Sequence, residues 1–182
     1  MATTTKTKHT YADYARLPEG TRVQLIGGEL VNTPAPNIRH QSVQAVLGNA
    51  FFNFVTERNL GKVFFAPTDV YFTEEETYQP DIIFISRERL HIIGEQKIEG
   101  APDLVVEILS ESSAYYDLKH KRRVYEKFGV KEYWIVDPME DSIEVYALRE
   151  GKFKPVGQAI KSGSVASELL KGFSVNIEKI FS

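Results

Sequence analysis

Two short runs, PDIIFIS at 80–86 and PDLVVEILS at 102–110, most limit what this chain can fold into. Both are rich in Ile, Val, Leu and Phe, which favour extended backbone. Both are almost wholly apolar, so neither can turn one face to water. Strands of that kind lie inside a sheet covered on both sides. One residue breaks the pattern. Glu107 sits inside the second run, and a carboxylate taken out of water costs several kcal/mol unless a partner compensates it. The fold must therefore supply Glu107 with a partner.

The remaining segments can provide the covering layers. TYADYARLPEG reads as a short helix stopped by Pro18, and RVQLIGGELVN as a hairpin turning at Gly27-Gly28. From Ile38 to about Arg58, Val43, Val46, Leu47, Ala50, Phe51 and Phe54 fall at steps of three and four, one face of a helix, with Gly61 as its stop. KVFFAPTDVYF is predicted as one strand bent at Pro67, with the acidic run 74–76 beyond it as a solvated loop. RERLHIIGEQKIEGA is predicted as a surface excursion with one helical turn. Ser110, Ser112 and Ser113 suit the cap of a helix from about Ala114 to Phe128, ended by Gly129. KEYWIVDP is the next strand, with Trp134 in the core and Asp137 capping the turn at Pro138, followed by a hairpin around Arg149–Gly151.

The order is αβββαβ with added N- and C-terminal hairpins: an α/β (α+β) chain, a mixed β-sheet flanked by helices. DLVVEILS, a helix and EYWIVD make a natural right-handed crossover. The 182 residues suffice for one core. Residues 1–10 are expected to be a flexible N-terminus and 11–182 a single domain.

Composition narrows the chemistry. There is no cysteine, which removes disulfides, thiolate zinc sites and cysteine nucleophiles and agrees with a cytoplasmic location. No apolar stretch approaches a membrane span, and the first ten residues lack the apolar core of a secretory signal. The net charge of −3 gives no bulk attraction to nucleic acid.

Two partners for Glu107 stay open. If the two apolar strands pair, Asp81 and Glu107 reach one end of the sheet, where two carboxylates repel each other. A hard cation such as Mg²⁺ removes that conflict with only one or two protein carboxylates. The rival is a buried ion pair. Asp117, Lys121 and Tyr125 are spaced four apart, so they share one helical face, and Lys121 can reach the strand ends.

LIGGELV, RHQSV, QPDIIFIS, APDLVVEILSESS, DLKHKRRVYEKFGVKEYWIVDP and GFSVNIEKIF, in this order, resemble the Uma-type restriction endonuclease family of the PD-(D/E)xK nuclease superfamily. The resemblance spans nearly all of the chain after residue 20. It implies a restriction-endonuclease-like fold and Mg²⁺-dependent (or Mn²⁺-dependent) endonuclease activity on DNA. It implies Asp81, Glu107 and the backbone carbonyl of Ile108 as metal ligands, and Lys121 as the charge-stabilising catalytic group. The superfamily pattern places a lysine two residues after the second acid, where this chain has Leu109. Lys121 fits that role from the next helix, with Lys119 as runner-up.

Accessory candidates are Glu29 after the Gly-Gly turn, His40 at the start of the long helix, and Tyr125; each has a structural reading beside the functional one. Asp103 reads as a turn or cap acid. KHKRR at 119–123 is either a solvated face or a source of phosphate contacts through Lys119, Arg122 and Arg123, with Tyr115 and Tyr116 placed to stack on a base. The other functional class is a catalytically inactive nucleic-acid-binding or interaction domain on the same scaffold. A homodimer is compatible with two-strand cutting, and no membrane partner is expected.

Overall fold

The structure is a computed structural model that describes residues 8–110 and 115–182, with 115–117 as backbone only. The chain runs α1 (Tyr11–Tyr14), β1 (Val23–Ile26), β2 (Glu29–Asn32), α2 (Ile38–Glu57), β3 (Gly61–Phe65), β4 (Val70–Thr73), β5 (Glu76–Tyr78) and β6 (Ile82–Ser86). A 3-10 turn (Arg87–Ile92) leads to β7 (Ile98–Glu99), β8 (Leu104–Ile108), α3 (Tyr115–Phe128) and β9 (Glu132–Asp137). The chain closes with β10 (Ser142–Arg149), β11 (Lys152–Ile160), β12 (Ser164–Ala166), β13 (Ser174–Asn176) and α4 (Ile177–Phe181). It is a mixed α+β fold.

The central sheet has the order β11-β10-β9-β8-β6-β3. Within this sheet β8 and β9 pair in parallel, joined through α3, and the other described neighbours pair antiparallel. As their composition requires, β6 and β8 lie inside the sheet with a core on each side. One core gathers Val43, Leu47 and Phe51 of α2 against Trp134 and the C-terminal Phe173 and Ile177. The other gathers Val124 and Tyr125 of α3 against Tyr133, Phe72 and Tyr78.

Helix α2 starts where Asn37 accepts a hydrogen bond from His40 N at 2.8 Å, which satisfies one of the free N–H groups of its first turn. Val43, Leu47, Phe51 and Val55 form its buried stripe. Val46, expected on that stripe, is 44% exposed. Gly61 is not the helix stop. The helix ends at Arg58, Asn59 takes the left-handed conformation at φ 52°, and Gly61 already belongs to β3. A Cβ on Gly61 would lie 2.0 Å from the Ile85 carbonyl oxygen, so glycine is needed there for close strand approach.

A second sheet has the order β2-β1-β5-β4-β7. The β1–β2 turn uses Gly27 and Gly28 at φ 59° and 81°, the signature of a two-residue hairpin. KVFFAPTDVYF is not one bent strand. It divides at Pro67 into β3 of the central sheet and β4 of the second. The run 74–76 is not wholly solvated either: Glu76 begins β5 and accepts from Gly27 N at 2.9 Å and from Tyr78 Oη. The expected flexible stretch through residue 10 is anchored at its end, where His9 N–H donates to the Gly28 carbonyl at 2.8 Å.

Candidate functional site

Strands β6 and β8 run antiparallel with Ile82 opposite Val106. That register brings Asp81, just before β6, to the end of the sheet where Glu107 sits. The Asp81 carboxylate takes over a ladder position there: its Oδ2 accepts from Ile108 N at 2.7 Å. Helix α2 reaches the same point from above. His40 Nε2 lies 3.3 Å from Asp81 Oδ1 and 3.1 Å from the Ile108 carbonyl oxygen. One turn on, Gln44 Nε2 donates to the Asp81 carbonyl at 2.9 Å.

Helix α3 closes the other side. Lys121 Nζ donates to Glu107 Oε1 and Oε2 at 3.1 and 3.0 Å, and Tyr125 Oη donates to Oε1 at 2.5 Å. The Glu107 and Lys121 side chains are only 8% and 7% exposed, so this is a buried ion pair. Burial holds the Glu107 carboxyl above the ordinary range; the Lys121 charge opposes that and the Asp81 charge adds to it. Burial and Glu107 push the Tyr125 phenol well up, so it stays a neutral donor. At His40, burial disfavours the charged ring, but Asp81, the Ile108 carbonyl and Glu107 outweigh it, and the pKa is raised.

Asp81, Glu107, Lys121, His40 and Gln44 all line one cleft of about 1150 Å³ between the two sheets. Of the sequence candidates, Asp81, Glu107, Lys121, Tyr125, His40 and Ile108 therefore come together. Glu29 is exposed at the hairpin and does not line the cleft. Lys119 and Arg123 are exposed on α3, outside the cleft lining. Arg122 lies outside the cleft lining; it donates to the Phe153 carbonyl at 3.1 Å and sits 4.5 Å from the centre of the Tyr146 ring. Asp103 lies at the opposite end of β8, fully buried, paired with Lys131 at 2.7 Å and accepting from Ser86 N at 2.8 Å. Asp137 caps its turn by accepting from Met139 N at 2.8 Å. The expected roles of Ser112 and Ser113, of the Tyr115 and Tyr116 rings and of the Asp117 side chain lie outside the described residues.

Gln44 is absent from the sequence reading. Its one available signal was its place four residues after His40 on a helix whose neighbouring column, Val43 and Leu47, faces the core.

Among the described residues, no three His, Cys, Asp or Glu side chains converge as metal ligands. The oxygens that do converge are two carboxylates and one main-chain carbonyl. Carboxylate oxygens carry more lone pairs than these bonds use, so the donor set suits a hard cation that takes one or two carboxylates and keeps water in its other positions. None of the described helices is long and apolar enough to cross a membrane.

A protein-family model described as Uma2, putative restriction endonuclease, matches residues 11–178. The crystal structure of a putative nuclease belonging to DUF820 from Anabaena variabilis ATCC 29413 superposes with a TM-score of 0.77 at 20% identity. The match covers 94% of this chain and 97% of that one. Comparison with curated proteins finds no match.

Proposed function

Because the chain belongs to the Uma2 putative restriction endonuclease family, we propose that it hydrolyses DNA phosphodiester bonds with a divalent cation held by Asp81, Glu107 and the Ile108 carbonyl. The observation that carries this reading is the convergence of Asp81, Glu107 and Lys121 on one cleft from three separate elements. Lys121 stands in from α3 for the lysine that Leu109 replaces. When bound, Mg²⁺ or Mn²⁺ would offset charge on the phosphate oxygens and acidify water.

The chain's own groups have distinct tasks. Asp81 is held at both carboxylate oxygens and at its backbone, so it would receive a cation without rearranging. Lys121 places a positive charge beside Glu107, where it stabilises charge developing on a phosphate. Tyr125 donates to Glu107 and holds its orientation.

One observation favours the second reading, an inactive nucleic-acid-binding or interaction domain. Both Glu107 oxygens are already bonded within the chain. The same experiment separates the two. Wild type, Asp81→Asn and Glu107→Gln are incubated with supercoiled and linear DNA and Mn²⁺. Cutting by wild type alone supports the nuclease. Equal cutting by all three marks a contaminant, and binding without cutting supports the silent scaffold.

A further inference from the structure

His40 is the third residue of α2, and its own N–H is held by the Asn37 cap. Its ring is 8% exposed. One nitrogen, Nε2, faces two acceptors together, Asp81 Oδ1 at 3.3 Å and the Ile108 carbonyl at 3.1 Å. Neither oxygen can donate, so Nε2 carries the proton and donates to both. These are two of the three oxygens assigned above to a cation. Without a donor between them, a carboxylate oxygen and a carbonyl dipole repel, and the Asp81 carboxylate is left held at Oδ2 alone, by the Ile108 N–H.

The support behind His40 is rigid. Val43, Leu47 and Phe51 fix α2 in the core, and Gln44, one turn on, holds the Asp81 backbone. The helix therefore grips Asp81 at the side chain and at the carbonyl.

We propose that His40 is a positioning residue whose Nε2–H sets the spacing between the Asp81 carboxylate and the Ile108 carbonyl, so that a divalent cation meets both oxygens already in place. This rests on the reading of Asp81 and Glu107 as cation ligands. Groups that orient ligands from behind typically change metal affinity by roughly 10- to 100-fold when removed.

The test is Mn²⁺ affinity, followed by the resonance signal of free Mn²⁺ with no DNA present, alongside the metal-free melting temperature. His40→Leu removes the donor and keeps bulk; His40→Gln keeps an N–H donor on a side chain of similar size. His40→Leu is expected to bind Mn²⁺ about 10-fold or more weakly, with His40→Gln recovering most of that loss. A purely structural role would instead lower melting in step with the affinity and show no rescue. Should His40→Leu fail to fold, His40→Met carries the same comparison. Mn²⁺ binding by His40→Leu equal to wild type, or equal loss in both variants, overturns the role of His40 and leaves the cation site standing. No Mn²⁺ binding by wild type at millimolar concentration overturns both.

Discussion

Glu107 answers to two opposing demands. Lys121 and Tyr125 satisfy its oxygens, while burial and the nearby Asp81 disfavour its charge. Glu107→Ala is expected to lower unfolding free energy by ~3–5 kcal/mol, because Lys121 is left charged, buried and unpaired. Glu107→Ala combined with Lys121→Met should recover part of that loss in urea titrations. A pH dependence follows from the raised pKa. The folded state holds the Glu107 proton more tightly than the unfolded chain, so this stability is fully present below the ordinary value of 4.5 and is lost as pH rises through the folded value. Metal-free wild type should therefore lose stability relative to Glu107→Gln between acid and neutral pH, and a constant difference would contradict the assignment. Asp81, Glu107 and Lys121 were legible in the sequence because an acid in an apolar run demands a partner, and a lysine at helical spacing can supply one. His40 and Gln44 were harder to read. A polar residue on a half-buried helix looks the same whether it faces solvent or grips a strand end.

Among the elements, the close approach of β3 to β6 and the anchoring of the C-terminal segment carry the clearest mutational consequences. At Gly61 an added Cβ would meet backbone, not a movable side chain, so Gly61→Ala must push β3 away from β6. A loss of about 1–3 kcal/mol is expected by chemical denaturation. Glu132 is 1% exposed and accepts from Trp134 Nε1, Ser167 Oγ, Glu168 N and Leu169 N, the last three at 2.6, 2.8 and 2.8 Å. It pins the segment before β13 to the central sheet. Glu132→Ala strands several buried donors at about 1–3 kcal/mol each. Protease cleavage should then appear between β12 and β13 before global unfolding; uniform cleavage across the chain would argue against a local anchor. The helices, the hairpin at Gly27-Gly28 and the apolar strands were visible in the sequence because their periods and turn residues are local. The division of KVFFAPTDVYF was not. Hydrophobic period marks extended backbone but not the sheet to which each half belongs, and β3 and β4 read alike until their partners are known. Glu76 was misread for the same reason, since its partner Gly27 is brought to it by the pairing of β1 with β5.

At the scale of the whole molecule, a net charge of −3 leaves no general field to draw in a polyanion. The basic run on α3 adds little at the cleft, since Lys121, the one of its residues that lines the cavity, is already paired with Glu107. The divalent cation proposed at the Asp81–Glu107 end would change the local sign and relieve the repulsion between the acids. Binding to the folded state alone raises stability by RT ln(1 + [L]/Kd), about 2.7 kcal/mol at one hundred times Kd. For a chain of this length that corresponds to a rise in melting temperature of roughly 5–10 °C. Wild type is expected to show that rise as Mg²⁺ or Mn²⁺ is added. Asp81→Asn, which keeps the shape and removes the charge, should show little of it. The comparison also separates a specific site from general screening, because monovalent salt at matched ionic strength screens both proteins alike. A rise of equal size in Asp81→Asn would place the cation elsewhere and remove the physical basis for cutting DNA at this cleft.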